Sequence, residues 1–352
     1  MCAHLSDKDG AFVVISTADL ARLVSTQVAK PYYLARSMLS LEVEHKFIIA
    51  GMFRFANLLK KHGFKKWGLE VSGYASECCC LPSRSLCKLG FTIKTHKPLG
   101  KVVPRMIHSS VAHSFNALGE VINRMFNHIL KLKPCICFSS EDVQRAISKS
   151  KITKNSILLK YDVEEFYLSG AHSDLANAVA FHMEDPLKQL VHDMVVFVLS
   201  YQFVLFDDEQ NSMLQVVLGS GMGMRQSGAV SDLSFNTVGE QWLHDAALVK
   251  SLGVLLYVKY RDDIMVVLEK PSCCPKFHSM LVSSAAHVYR VEREDYSLVS
   301  VNMLDMMVLK HTDEFERVYL KFRPFIKPHC STCAPWSAQR TSQEHPSSLA
   351  QG

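Results

Sequence analysis

The 352 residues contain no run of roughly 18–20 uninterrupted apolar residues, the length a bilayer-spanning helix needs. The nearest candidate, Val191 to Phe206, carries His192 and Asp193 and runs into Asp207-Asp208-Glu209, so it reads as a buried helix. The opening MCAHLSDKDG lacks the basic-then-apolar layout of a secretory signal, and a nuclear or cytoplasmic location is expected. No spaced disulfide framework is present either. The eleven cysteines include the runs Cys78-Cys79-Cys80 and Cys273-Cys274, which suit reduced thiols. Cys330 and Cys333, with His329 alongside, lack the second pair that a structural zinc site requires, and read as incidental. Internal repeats are missing too. What remains is a chain with 48% hydrophobic residues, enough for one large domain or two subdomains.

Charge is unevenly spread. Residues 1–160 hold 24 Lys and Arg against 10 Asp and Glu, whereas residues 161–352 hold 15 against 24. The balances of +14 and −9 give the net +5. A basic part joined to an acidic part suits a protein that grips phosphates with one and cations with the other, although solvated surfaces also show such splits.

Apolar spacing predicts helices over Thr17–Val28 and Leu41–His62, with Gly63 as a stop. Residues 68–89, broken by Gly, Pro and Ser, read as loop. Two β-like runs follow within 91–107, separated by Lys97-Pro98-Leu99-Gly100. Helices are then expected over 115–132 and from Ser140 to near Lys149. A strand at Ile157–Val163 leads into helical sequence from Asp174 to Phe206, interrupted at Asp185-Pro186. Gly219 to Gly228 opens a long helix to about Lys250. A hairpin, a helix over 275–290 and β-like runs at 299–309 and 318–322 complete the pattern. This order predicts an α+β fold, with an antiparallel sheet and helices on one face.

The hairpin reads LLYVKY-R-DD-IMVVLE from Leu255 to Glu269, with Asp262 and Asp263 at its tip. Such a pair is ordinary turn chemistry, with Arg261 as a local ion-pair partner, or it is a divalent-metal site on a rigid support. Asp162, at the end of an apolar strand, decides between them if the two strand ends meet. Three carboxylates in one place repel unless cations neutralise them. Arg261 is then expected to point away from the aspartates, since side chains alternate along a strand.

Three motifs stand in order: D-V-x-x-F-Y at 162–167, G-S-G-M-G-x-x-x-S at 219–227 and Y-R-D-D at 260–263. Upstream lies Ile93 to Pro98 with Arg105; downstream lie Leu304-Asp305 and Val318 to Lys321. Together they resemble the palm motifs of reverse transcriptases, most of all those of Penelope-like retroelements, over about residues 90–328. The resemblance implies right-hand polymerase architecture, with a basic fingers-like region (90–155) and a palm (156–328); apolar spacing makes residues 1–89 an N-terminal, mostly helical extension, and the Ser/Gln/Pro-rich end reads as a disordered tail (329–352). The resemblance also implies RNA-templated DNA synthesis from dNTPs on a DNA primer, with two Mg²⁺ ions, or Mn²⁺, as cofactor.

By the same resemblance Asp162 and Asp262 would be metal ligands, Asp263 the accessory catalytic carboxylate, and the carbonyl of Val163 a further ligand. Tyr167 would be the steric gate against ribonucleotides, with Phe166 a rival. Gly221, Gly223, Gln226 and Ser227 would lie against the nucleotide, although a loop-to-helix cap explains the same segment. Lys94, Lys97 and Arg105 would contact triphosphate and template, although a solvated basic hairpin explains them too. Gly228 departs from the family, which often has proline there. A decayed, binding-only descendant and an RNA-directed RNA polymerase are the alternative readings. No full thumb and no GIY-YIG-type nuclease are recognisable. A membrane partner is not expected, and protein partners are undetermined by sequence.

Overall fold

The computed structural model describes residues 2–5, 12–93, 103–206 and 212–325. Lys94, Lys97 and the tail with Cys330 and Cys333 lie outside them. Contacts divide the chain into a smaller unit (residues 1–29, 91–106 and 327–352) and a larger one (30–90 and 107–326). Residues 30–89, expected in an N-terminal extension, thus share a unit with the aspartate strands.

In the smaller unit β1 (Cys2–Leu5) pairs antiparallel with β2 (Phe12–Ile15), and α1 (Thr17–Val28) follows. The Ser16 hydroxyl caps α1, accepting the Asp19 N–H at 3.0 Å. Leu20 and Val24, one turn apart, are the buried positions of this helix.

In the larger unit come β3 (Tyr33–Arg36), α2 (Leu41–Lys61) and α3 (Lys65–Cys78). The buried stripe Ile48, Met52, Phe55 and Leu59 makes α2 a helix, and Gly63, at φ +89°, follows its end as expected. The loop expected over residues 68–89 is largely helical instead. Gly68 reads as a breaker but serves packing: a Cβ there would stand 2.5 Å from the Ala56 carbonyl oxygen of α2. Then follow β4 (Leu86–Ile93) and β5 (Pro104–Ser109), whose outer parts belong to the smaller unit, and α4 (Asn116–Leu130) and α5 (Ser140–Ser148).

Next are β6 (Ile157–Glu164), α6 (His172–Ala180), α7 (Leu187–Ser200), β7 (Phe203–Phe206) and β8 (Ser212–Val216). The helical run expected to reach Phe206 ends early: Phe203–Phe206 is a strand, parallel to β4 and antiparallel to β8. A five-stranded mixed sheet results, in the order β3-β8-β7-β4-β5. After α8 (Ser227–Gly239), which stops well before Lys250, come α9 (Ala246–Ser251), β9 (Val254–Tyr260), β10 (Asp263–Leu268) and α10 (Cys274–Ala285). β11 (Arg290–Ser297), β12 (Ser300–Met303), β13 (Met306–Thr312) and β14 (Val318–Pro324) end the described fold.

The antiparallel sheet that holds the aspartates has the order β11-β6-β10-β9. On one face Tyr161 packs on Phe277 of α10, and the Tyr289 hydroxyl donates to the Ser231 carbonyl of α8, so helices cover this face. On the other, Leu158, Val258, Met265 and Val267 share a core with Val143 and Ile147 of α5 and with Val301, Met303, Val308 and Leu320 of the β12-β13-β14 sheet. The sheet is therefore covered on both sides, more than a one-face arrangement provides. Burying each of these aliphatic side chains stabilises the fold by about 1.5–3 kcal/mol.

Candidate active site

β10 pairs with β6 so that Asp263 lies directly opposite Asp162, and with β9 so that Asp263 lies opposite Tyr260. Arg261 and Asp262 are therefore the two residues of the hairpin turn. The Val163 N–H donates to the Asp262 carbonyl at 3.0 Å, which ties the tip to β6. The two strand ends thus meet at one edge of the sheet. Val163 itself is buried between β10 and β11.

Asp162 has its carboxyl pushed up to about 7. Burial is the main cause, followed by the negative charges of Asp262, Glu294 and Asp263, while Lys160 opposes them. Lys160, two residues before Asp162 and on the same face, places its Nζ 3.0 Å from Asp263 and 2.5 Å from Glu294. Burial works against its charge, but Asp263 and Glu294 hold its pKa above the usual lysine value. Sequence reading missed Lys160 and Glu294. The i−2 spacing from Asp162 was the available signal for the lysine, whereas Glu294 sits where the ladder between β11 and β6 shifts register.

The other face of the hairpin carries a different cluster. Lys259 is fully buried and donates to Asp232 of α8 at 2.6 Å, and Arg261 pairs with the other oxygen of the same carboxylate. Glu240, also buried, accepts from Asn236 and from the Tyr257 hydroxyl, each at 2.9 Å. Lys259 further lies over the rings of Phe166 and Phe235, at 5.4 and 5.5 Å. Arg261 thus points away from the aspartates, toward α8. Its φ of +55° puts an L-residue in the left-handed region, at a cost of about 1 kcal/mol, in a turn position that glycine usually takes.

The glycine loop rests on two backbones. Gly219, at φ +67°, lies against Tyr167 and Leu168, and Ser220 donates its N–H to the Tyr167 carbonyl at 2.6 Å. A Cβ on Gly221 would stand 2.6 Å from the His108 ring, and one on Gly223 would be 2.7 Å from the His108 carbonyl oxygen. His108 donates its N–H to the Met222 carbonyl at 2.7 Å, and its Nε2 lies 3.1 Å from the Tyr33 hydroxyl. Burial lowers its pKa to about 4, so the ring is neutral at pH 7.

Gln226 and Ser227 are buried behind this loop, at 0% and 1% exposure, so neither lies on its outer surface. The Ser227 hydroxyl donates to the Gly221 carbonyl at 2.6 Å and braces the loop; Gly223 and Arg225 are its exposed residues. The two aromatic rivals separate cleanly. Phe166 is core, packed on Phe235 and Tyr289, whereas Tyr167 is half-buried. Arg105 is half-buried on β5, in the smaller unit.

The donor set at the edge is carboxylate oxygen under mutual repulsion, which suits a hard divalent cation. Asp162 and Asp262 fit that role. Among the described residues, however, no three His, Cys, Asp or Glu side chains are gathered into a ready metal cage. Asp263 is paired with Lys160 instead.

No protein-family model matches the chain, and no curated protein does. Among solved structures, apo telomerase from Candida tropicalis matches at 11% identity and TM-score 0.46, over 64% of this chain and 47% of that one. Telomerase from Candida albicans, solved with the TWJ fragment of telomeric RNA, matches at 12% and 0.45, over 64% and 45%. The RNA-dependent RNA polymerase of BmCPV at its quiescent state matches at 11% and 0.47, over 76% and 26%. The chain matches under half the length of each of these three. At this identity and with TM-scores below 0.5, they decide nothing about its activity. Among the described residues no helix is long and apolar enough to cross a membrane.

Proposed function

We propose that the chain performs RNA-templated DNA synthesis, as the fingers and palm of a reverse transcriptase derived from a Penelope-like element. The observation that carries this reading is the edge at which Asp162 meets the Arg261–Asp262 turn. Asp162 is pushed up to about 7 there by burial and neighbouring carboxylates, a concentration of negative charge that Lys160 offsets only in part.

Asp162 and Asp262, with the Val163 carbonyl, would hold Mg²⁺ or Mn²⁺. Bound there, the ions would lower the pKa of a primer 3′-hydroxyl and offset charge on the α-phosphate and leaving pyrophosphate. Asp263 supports the pair from the opposite strand, its charge balanced by Lys160. The half-buried ring of Tyr167, on backbone that the Ser220 N–H holds through the Tyr167 carbonyl, stands as the group that excludes a 2′-hydroxyl. Gly223, exposed on the loop, lets backbone approach a base pair, while Gly221, buried against the His108 ring, acts with Gln226 and Ser227 from behind the loop surface. Lys94, Lys97 and Arg105 are assigned to the triphosphate and the template. RNA template, DNA primer and dNTPs are the partners this requires.

Primer extension on an RNA template with Mg²⁺ tests the proposal. Wild type should incorporate dNTPs, and Asp262→Asn should lose about 10²-fold or more, the scale of removing a transition-state charge stabiliser. Equal signal from the two proteins would sink the assignment. Preference for ribonucleotides would overturn the role of Tyr167 and favour RNA synthesis.

One observation favours a second reading, a descendant that binds nucleic acid without catalysis. The Lys160 ammonium already occupies Asp263, and no ready three-ligand cage is present among the described residues. Wild-type protein that retains a primer–template but never extends it would decide for this reading.

A further inference from the structure

The hairpin turn and the start of α8 share one feature that neither motif explains separately. Arg261 reaches over the first turn of α8 to Asp232, and its guanidinium passes above Gly228. A Cβ on Gly228 would stand 2.8 Å from Nη1 of Arg261 and 3.1 Å from its central carbon. Lys259 anchors the same carboxylate at 2.6 Å and also donates to the Arg261 carbonyl at 3.5 Å, so side chain and backbone of the turn converge on α8. The turn residue itself sits at φ +55°, a conformation that persists where surrounding contacts enforce it. Gly228 is the position where the sequence departs from the proline of the family it resembles, and the space left by the missing side chain is the space that the guanidinium fills.

We infer that Arg261 is a positioning residue, clamped on Asp232 through the gap at Gly228, that sets where Asp262 stands in the turn beside Asp162. This rests on the proposed function, because a positioned Asp262 matters through the cation it would hold. Arg261 and Gly228 then form a matched pair: the arginine needs the glycine, and the strained turn needs the arginine. Asp232 is the fixed point of the clamp because Lys259 holds it whether or not Arg261 is present.

The test uses the full chain as wild type, Arg261→Ala, Gly228→Ala and the double variant, with three readouts. Direct Mn²⁺ titration by electron paramagnetic resonance comes first. A cation beside two aspartates repels a metal, so a bystander arginine predicts tighter Mn²⁺ binding in Arg261→Ala. A positioning arginine predicts the opposite sign, weaker binding by about tenfold, the scale of a lost supporting contact to a ligand. The second readout is primer extension. Arg261→Ala should lower kcat about tenfold with the KM for dNTP little changed, because a small misplacement of a reacting group is expensive. Third is thermal melting. Gly228→Ala should raise the melting temperature when combined with Arg261→Ala, where alanine is simply the better helix former, and fail to do so when the arginine is present.

Tighter or unchanged Mn²⁺ binding in Arg261→Ala overturns the inference, as does a Gly228→Ala effect that is the same in both backgrounds. Wild type that binds Mn²⁺ but never extends a primer would remove the polymerase reading. The sign of the Mn²⁺ change and the melting cycle would still decide the clamp.

Discussion

The β9–β10 hairpin carries charge on two sides, and the two clusters are built on opposite terms. Toward α8, Lys259 and Arg261 meet Asp232, and Glu240 is met by Asn236 and Tyr257, so each buried carboxylate has its partner in the chain. At the sheet edge Asp162 faces Asp262, Glu294 and Asp263, with Lys160 as the opposing cation. Burying charge is costly unless it is paired, so the first cluster is what a stable core requires. The second leaves a carboxyl that gives up its proton only near neutral pH. The contrast separates carboxylates paired within the core from carboxylates held together under mutual repulsion.

The largest stability effect should come from unbalancing the first cluster. Lys259→Met keeps the bulk but strips Asp232 of a buried partner, and should destabilise by about 3 kcal/mol in urea melts. A loss under about 1 kcal/mol would mean that the lysine is not buried as a charge, and the contrast between the two sides would fail.

At the edge the expected sign is reversed. Asp162 titrates near 7 in the folded state against 3.8 as the reference value, so the folded state binds more protons between those values. Its contribution to stability is therefore fully present below about pH 4 and lost as pH rises through 7. Without divalent cations, Asp162→Asn should be more stable than wild type at pH 8 by about 2 kcal/mol, allowing for partial solvation, and should flatten this dependence. Added Mg²⁺ should recover the loss in wild type alone. Melting curves across pH 4 to 8 check both points, and a wild type insensitive to pH and Mg²⁺ would reduce the edge to another structural cluster.

A smaller effect belongs to the loop. Gly221→Ala places a methyl against the His108 ring and should cost about 1–2 kcal/mol through overpacking. His108 carries the opposite sign in nearly the same pH window: neutral when folded, with a pKa near 4, it costs stability as pH falls from 6.5 toward 4. Exchanging His108 for an uncharged residue should remove that acid loss while leaving the Asp162 dependence between 4 and 7 in place.

Much of the site was legible because its signals are local. Flanks rich in Val, Ile, Tyr and Leu on both sides of Arg261-Asp262-Asp263 announce a hairpin, and Asp162 closes a run of apolar residues. Arg261 points away from the aspartates as expected, but as a turn residue drawn to Asp232 rather than by strand alternation. What escaped was set by distant partners. Gly68 looks like a breaker, yet it is the contact that seats α3 on α2. Phe203–Phe206 continues the apolar character of α7, and only β4 and β8 make it a strand. β11, reading Arg-Val-Glu-Arg-Glu-Asp-Tyr-Ser, has no apolar alternation and becomes a strand by pairing with β6. Gln226 and Ser227 look like exposed loop residues, and packing against α4 and Gly221 buries them.

By itself the sequence singled out the candidate residues: three aspartates, a glycine loop and an aromatic pair, in one order. Tertiary structure decided what each does with its charge or ring. It buried Phe166 and left Tyr167 half-open; it gave Asp263 to Lys160 and Arg261 to Asp232. The physical reason is that composition and spacing act within a few residues, whereas the ionisation of a buried group depends on every charge packed against it. Those charges come from α8, β6 and β11, elements far apart in the chain that meet only when the sheet and its helices close around the hairpin.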